Sequence, residues 1–435
     1  MLISLFALFL FFFLLLYRFR GKDLLYPSIL TSGIFTIGSL FAYIGNIGWQ
    51  VQISWLAPFV VVLSFSFILL GEQTAIVIVK KQKIRKNNGI IFSIPIKVII
   101  ILLVFSLLVA YYYFQKMKYF AAMSVLADRN DTQFLQAVRD YRFNERESLG
   151  AALSIPTNFV IVEGYFFTFL FLNNALVLGI KNAFRKYKLY LSFIIPFSII
   201  LGLSGARIGF LQFIVFIGLA YLILGKYYDK KLRLNFKFLL LATSGVLLFF
   251  TIFYLLGTLT GKVSDDNVFE KYCIYAGSPI VDLDLLLNNM FFQLEAGSRL
   301  GICTFDGIYR IIGHVIDVPD FDIKSDEFIF FKNGSGSNIY TAYAFYYEDW
   351  REIGLVLVNF FIGFFTAAYY RSLFRWKNIF LHMIFISYFF YGLIGNLFAA
   401  ELTRSLIAGF QLQFIFWIYI FLFVCRKCNY IFKIK

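Results

Sequence analysis

An all-α polytopic membrane protein is the fold class this sequence predicts, and three observations predict it. Apolar residues make up 60% of the 435 and aromatic residues 21%, with a mean hydropathy of +0.77, far too apolar for a soluble domain. The apolar residues gather into runs close to the roughly 20 that a helix needs to cross a bilayer. Short loops rich in Lys and Arg alternate with quieter ones. The expected architecture is about eleven transmembrane helices with a large extracytoplasmic loop that contains short helices.

In chain order the runs lie at 2–17, 27–45, 55–79, 90–114, 157–178, 189–204, 207–225, 237–257, 353–370, 379–398 and 405–424. The first has no basic region before it and is followed by Arg18, Arg20 and Lys22, so it reads as a retained anchor rather than a cleaved signal. The basic loops are "RFRGK" from Arg18, "KKQKIRK" from Lys80, "KNAFRKYK" from Lys181, "KYYDKKLRLNFK" from Lys226, "RSLFRWK" from Arg371 and the tail from Arg426. Together they hold 24 of the 40 Lys and Arg against only Asp23 and Asp229. This is the positive-inside pattern of a protein of the cytoplasmic membrane, with its amino terminus outside and its carboxyl terminus in the cytoplasm. The net charge of +15 is thereby a topology signal, and nucleic acid is not an expected partner.

The chain divides into residues 1–257, with eight spans and an outer loop at about 115–156; residues 258–352, one large outer loop; and residues 353–435, with three spans and the basic tail. The large loop carries seven basic and fifteen acidic residues, opposite in sign to the cytoplasmic side. At its length it exceeds an ordinary connector. Glu72, Lys97, Glu163 and His382 lie in or near apolar runs and read as helix-end or paired groups.

Within the large loop, "TFDGIYRIIGHVID" places Ile308, Ile311, Ile312 and Val315 on one helical face, with Thr304 as N-cap. Asp306, Arg310 and His314 stack on the opposite face, either as a solvated stripe or as the lining of an anion site. "SPIVDLDLLLNNMFFQLEAGS" predicts a helix from Ser278 to about Gly297. Asp282 and Asp284 sit two apart in it and so point apart, which argues against a shared metal. In the other outer loop Arg139, Arg142 and Arg146 have helical spacing and answer either to neighbouring acids or to an anion. Glu348 and Asp349 end the large loop; Glu401 and Arg404 share a turn near the carboxyl end. Tyr340, Tyr343 and Tyr347 are candidate sugar-stacking rings. Cys273 and Cys303 share the outer loop, where a disulfide is one reading, and "CRKC" at Cys425 and Cys428 is too few ligands for zinc.

Arg207, in "SGARIGFLQF", is a lone cation between two apolar runs. A guanidinium keeps its charge and offers a fork of donors matched to phosphate, so Arg207, Arg299, Arg310 and Arg404 form a candidate diphosphate site, with Arg139 as a further member. Candidate bases for an attacking hydroxyl are His314, Asp306, Glu348, Asp349 and Glu401, His314 being favoured because it alone titrates near neutral pH unperturbed.

The stretches "LGLSGARIGFLQF", "GSRLGICTFDGIYRIIG" and "NIYTAYAFYYEDWREIGLVLVNFFIGFFTAAYY" resemble bacterial O-antigen polymerases, the Wzy family of oligosaccharide repeat-unit polymerases. Arg139 and Gly150 match the family's spacing of Arg and Gly, whereas Arg299 and Gly313 do not. The resemblance implies a GT-C-like fold and an enzyme without cofactor or metal. Its substrate would be an undecaprenyl-diphosphate-linked oligosaccharide at the outer face, with membrane lipids and a chain-length regulator as partners. Two other readings stand beside it: an O-antigen ligase, and a polysaccharide transporter or flippase, which the long outer loop disfavours.

Overall fold

The computed structural model describes residues 1–80, 89–124, 134–144, 149–204, 207–230, 268–288, 301–315, 329–404 and 408–433. Outside them fall Arg146, the expected span at 237–257 and Arg299, and the side chains of Arg142, Arg207 and His314 are likewise outside the described set. Peptide groups in lipid have no water to bond, so apolar runs satisfy them by coiling into helices.

The helices are α1 (Leu2–Phe19), α2 (Pro27–Trp49), α3 (Leu56–Ile78), α4 (Ile96–Met123), α5 (Phe134–Asn144), α6 (Ala151–Leu178), α7 (Ile180–Tyr187), α8 (Ile194–Ser204) and α9 (Arg207–Tyr227). They continue with α10 (Val268–Asn288), α11 (Asp306–Val315), α12 (Ala342–Ser372), α13 (Ile379–Phe389), α14 (Tyr391–Gly395), α15 (Glu401–Arg404) and α16 (Gly409–Lys427). Two small antiparallel ladders accompany them, β1 (Ile90–Phe92) with β4 (Ile431–Lys433) and β2 (Ile329–Phe330) with β3 (Gly336–Ser337). Among the described residues nine helical stretches are long and apolar enough to cross a membrane. The protein is an all-α polytopic membrane protein. The stretch expected at 379–398 is divided between the shorter α13 and α14.

Three boundaries differ from the sequence reading, each for a local reason. The fourth run begins at Ile96 rather than at 90, because its first residues form β1. The edge of β1 is met by amides of α6: Phe92 N–H donates to Asn174 Oδ1 at 2.9 Å and Asn174 Nδ2 donates to the Phe92 carbonyl at 2.7 Å. The fifth starts at Ala151 and runs through Pro156. The helix expected to begin at Ser278 begins instead at Val268 and passes through Pro279. Proline removes the N–H that would bond one turn back, yet packing holds the helix together there: a Cβ on Gly277 would lie 2.3 Å from the Ala42 backbone nitrogen, so only glycine lets α10 rest on α2 this closely.

The chain forms two compact units that interleave in sequence. Unit 1 comprises 1–83, 267–379 and 389–411; unit 2 comprises 84–266, 380–388 and 412–435. In unit 1 the most extensive helix pair is α3 with α12. Its glycines explain why: a Cβ on Gly363 would sit 2.1 Å from the Ile68 carbonyl oxygen, and one on Gly71 2.0 Å from that of Phe360. Small residues of this kind bring backbones together where lipid supplies no hydrophobic driving force. Unit 1 also contains an ion pair, Arg20 to Glu72 at 2.8 Å, whose carboxylate accepts the Ser28 N–H at the start of α2. Unit 2 packs around Tyr165 of α6, whose ring meets Phe197, Phe213, Phe216, Tyr388 and Phe414 edge-on. Glu163, two residues earlier on the same helix and so directed away from Tyr165, is buried and accepts a short hydrogen bond from Ser106 of α4.

Candidate functional site

α11 is short and strongly two-sided, as its isoleucine spacing requires, and it delivers its polar face to one cluster in unit 1. Arg310 Nε donates to Asp306 Oδ1 at 2.7 Å one turn away. On the other side of Asp306, Arg404 of α15 brings its Nε to 3.8 Å from Oδ2. That nitrogen is buried, and among the described residues it has no hydrogen-bond acceptor. The guanidinium carbon lies over the Phe345 ring, 4.6 Å from its centroid, a contact that helps hold the cation. Next to it, burial pushes the Glu401 carboxyl above its ordinary range, and Arg404 pulls it back in part.

The turn before α11 is fixed from a distance. Thr304 does not cap the helix as its position predicted, since its buried hydroxyl makes no well-formed hydrogen bond among the described residues. Instead the carboxylate of Asp349, on α12, accepts the Thr304 N–H at 2.7 Å and the Cys303 N–H at 3.3 Å. Both oxygens of Asp349 are therefore committed to holding the 303–304 turn. Cys303 and Cys273 are both buried free thiols, so the disulfide reading is corrected.

Just after Asp349 the backbone of α12 breaks: Trp350 leaves the helical region and Arg351 adopts φ 54° and ψ −140°. The break turns Trp350 onto Gly301, where any Cβ would lie 2.5 Å from its ring. Below it opens an apolar groove of about 560 Å³. Its upper end is made by Phe305, Trp350, Leu402 and Thr403, and its length follows α12 from Ile353 to Thr366, roughly 20 Å at 1.5 Å per residue. Phe305 precedes Asp306, and Leu402 and Thr403 lie between Glu401 and Arg404. The groove's lining thus adjoins the charged cluster along the chain.

The structure brings together Asp306, Arg310, Arg404 and Glu401, with Asp349 bracing them. Glu348 is half-buried on α12, one residue before Asp349. His314 belongs to α11, with its side chain outside the described set. Arg139, on α5, and the backbone of Arg207, at the start of α9, belong to unit 2. Arg139 is exposed. Among the tyrosines, Tyr343 is fully buried and stacked on Phe35 at 5.4 Å, and Tyr340 is buried too; such rings offer no face to a sugar. Tyr347 is covered by the Arg351 guanidinium at 5.3 Å. Asp282 and Asp284 do go separate ways: Asp284 accepts from Ser54 and from the Ala57 N–H at the start of α3.

The residues that sequence reasoning passed over are those of the groove. Phe305, Trp350 and Leu402 come from three separate segments, and in a chain this aromatic nothing in their spacing sets them apart. Comparison with protein-family models, with curated proteins and with solved structures finds no match to this chain.

Proposed function

We propose that the protein is a glycosyltransferase that polymerises oligosaccharide repeat units carried on a polyprenyl diphosphate at the outer face of the cytoplasmic membrane. The observation that carries this reading is the apolar groove along α12, whose lining residues Phe305, Leu402 and Thr403 are chain neighbours of the cluster of Asp306, Arg310, Arg404 and Glu401. A polyprenyl chain fits the groove by its apolar nature, each buried methylene contributing about 0.8 kcal/mol. The diphosphate then meets Arg404, whose Nε has no acceptor among the described residues, and Arg310, whose side chain is 68% exposed.

In the reaction, the bond between the anomeric carbon of the growing chain and the diphosphate oxygen breaks, and the diphosphate leaves with the electron pair. A hydroxyl of the incoming repeat unit forms the new bond to that carbon and gives its proton to a base. Arginines hold the charge that builds on the leaving diphosphate. Asp349 is occupied by the 303–304 turn and Asp306 by its arginines, which leaves Glu401 as the described carboxylate best suited to take the proton, with His314 as its rival. Burial shifts the Glu401 carboxyl upward, so the acidic limb of the rate profile lies above that of an ordinary glutamate; turnover rises with pH through that limb as the base loses its proton.

The test is the glycan profile of a strain lacking the protein, complemented with wild type or with variants. Single repeat units without longer ladders, restored to ladders by wild type, are expected. Ladders that persist unattached to lipid A core in the deleted strain indicate a ligase, and lipid-linked units trapped on the cytoplasmic side indicate a flippase. Glu401→Gln and His314→Ala, assayed for turnover against retention of lipid-linked substrate, decide between the two bases.

A further inference from the structure

The basic loop "KNAFRKYK" takes no part in the proposed reaction, and most of it is the helix α7 of unit 2. Its residues sort by kind around the helix axis. At 100° per residue Ile180, Ala183, Phe184 and Tyr187 share one face, while Lys181, Asn182, Arg185 and Lys186 occupy the other. The protein covers only part of the apolar face. Ala183 is fully buried where α7 packs against α6 and the 3₁₀ turn Lys188–Phe193, whereas Ile180 is 71% exposed and Phe184 55% exposed.

Backbone breaks set α7 off at both ends. Gly179 before it has φ 83° and ψ 148°, and Tyr187 at its end has φ −126° and ψ 17°. α6, which leads into it, has 28 residues and so measures about 42 Å, longer than the roughly 30 Å of a bilayer's hydrocarbon core. Its end reaches the headgroups, and α7 starts there. The charge around it has one sign. Between Glu163 and Asp229 the chain has no acidic residue, and the other basic loops of unit 2, at 84–89, 226–237 and 426–435, contain one acid between them, Asp229.

A short helix with exposed apolar side chains on one face and cations on the other is suited to the boundary between acyl chains and headgroups. We propose that α7 lies in that boundary and binds anionic phospholipid, with Ile180 and Phe184 entering the acyl region and Lys181 and Arg185 meeting headgroup phosphates. The stems of both cations can lie along the apolar surface while their charged ends reach the phosphate layer. Lys186 points to the far side, about 140° from the exposed apolar residues. It is therefore outside the site. A basic residue near an anionic membrane surface gains about 1 kcal/mol, or about fivefold in affinity, so the pair Lys181 and Arg185 gains roughly 30-fold over a neutral surface.

The experiment is amide hydrogen exchange of the purified full-length protein in nanodiscs of phosphatidylcholine, alone or mixed with phosphatidylglycerol. Peptides covering 180–188 should exchange about tenfold more slowly in the mixed discs, and the difference should shrink at high salt. Lys181→Gln with Arg185→Gln should abolish it. Lys186→Gln with Lys427→Gln removes the same charge from two other exposed positions and should leave it intact. Phe184→Gln should speed exchange in both lipids, because it weakens the apolar half of the contact. Equal exchange in the two lipids overturns the proposal, as does a difference that survives the first pair of substitutions or is lost equally in the second. So does an unchanged Phe184→Gln. Inorganic phosphate added to phosphatidylcholine discs at equal ionic strength should have no effect; slowing by phosphate alone would make α7 a simple anion site and overturn its role at the membrane surface. If a variant fails to accumulate, the wild-type lipid, salt and phosphate comparisons still decide. None of these measurements reads polymer formation, so the polymerase reading stands or falls separately.

Discussion

The two units of this protein treat buried polar groups differently. In unit 2 such groups build structure: Asn173 and Asn174 hold the edge of β1, Tyr190 donates to the Phe92 carbonyl and accepts from Ile94 N–H, and Tyr228 donates to Asn173. The exceptions among the described residues are Glu163 Oε1, Thr168 Oγ1 and Trp417 Nε1. In unit 1, Asp282, Thr341, both amide atoms of Asn396 and Arg404 Nε are buried without hydrogen-bond partners among the described residues. A native protein rarely strands such groups unless they serve something. On the proposed function, unit 2 would serve as scaffold and unit 1 for binding, and that division can be broken in a graded series of experiments.

The largest expected effect is at Arg404. Arg404→Ala should lower polymer synthesis by a factor of about 100 or more, the scale of losing one donor to a charge that develops in the transition state, while protein level and Tm hold. Arg404→Lys should recover a part only, because it keeps the charge and loses the fork. Wild-type ladders from Arg404→Ala would end the assignment of binding to unit 1. Next comes a purely structural lesion in the same unit: Gly363→Ala forces a methyl against the Ile68 carbonyl and should cost about 3 kcal/mol, the upper part of the range for overpacking, read as lost folded yield.

The scaffold role of unit 2 predicts a different result for Asn174→Ala. That change strands the Phe92 N–H, while the Phe92 carbonyl keeps the Tyr190 hydroxyl, and should cost about 2 kcal/mol of stability, with activity per folded molecule unchanged. A loss of activity beyond the loss of folded protein would place function in unit 2 as well.

Much of this was legible in the sequence, for identifiable reasons. Most of the spans were, because lipid leaves an apolar run no option but a helix, and so was the placing of Asp306 and Arg310 on one helix face, because residues four apart are neighbours there; that the two pair with each other was not. The start of α10 was not: Ser278 and Pro279 carry a local signal that packing on α2 through Gly277 overrides. Asp349 reads as one more acid at the end of a loop, since its role depends on backbone N–H groups more than forty residues earlier. The groove was illegible for a related cause. Apolar side chains that face lipid and those that line a lipid site are the same residues, and only convergence in space separates Phe305 and Leu402 from the rest.

The finest test concerns backbone strain at one residue of unit 1, for unit 2 has positive-φ residues of its own in Asp229 and Asn429. Arg351 holds φ 54° and ψ −140°, a region where a side chain costs about 1–3 kcal/mol and glycine very little. The break it creates sets Trp350 over the groove, so the strain is maintained at the proposed binding end. Mutation to glycine also removes the guanidinium over Tyr347, and the backbone contribution is isolated by comparing Arg351→Gly with Arg351→Ala, both of which lose that group. Arg351→Gly should be the more stable of the two by about 1 kcal/mol. At Tyr112, exposed on the regular α4 of unit 2, the same pair should fall in the opposite order, alanine exceeding glycine by about 1 kcal/mol as in any ordinary helix. Melting curves of the four variants read both differences. Alanine ahead of glycine at both positions would mean that α12 is unstrained at Arg351, and that the turn of Trp350 onto Gly301 is held by side-chain packing alone.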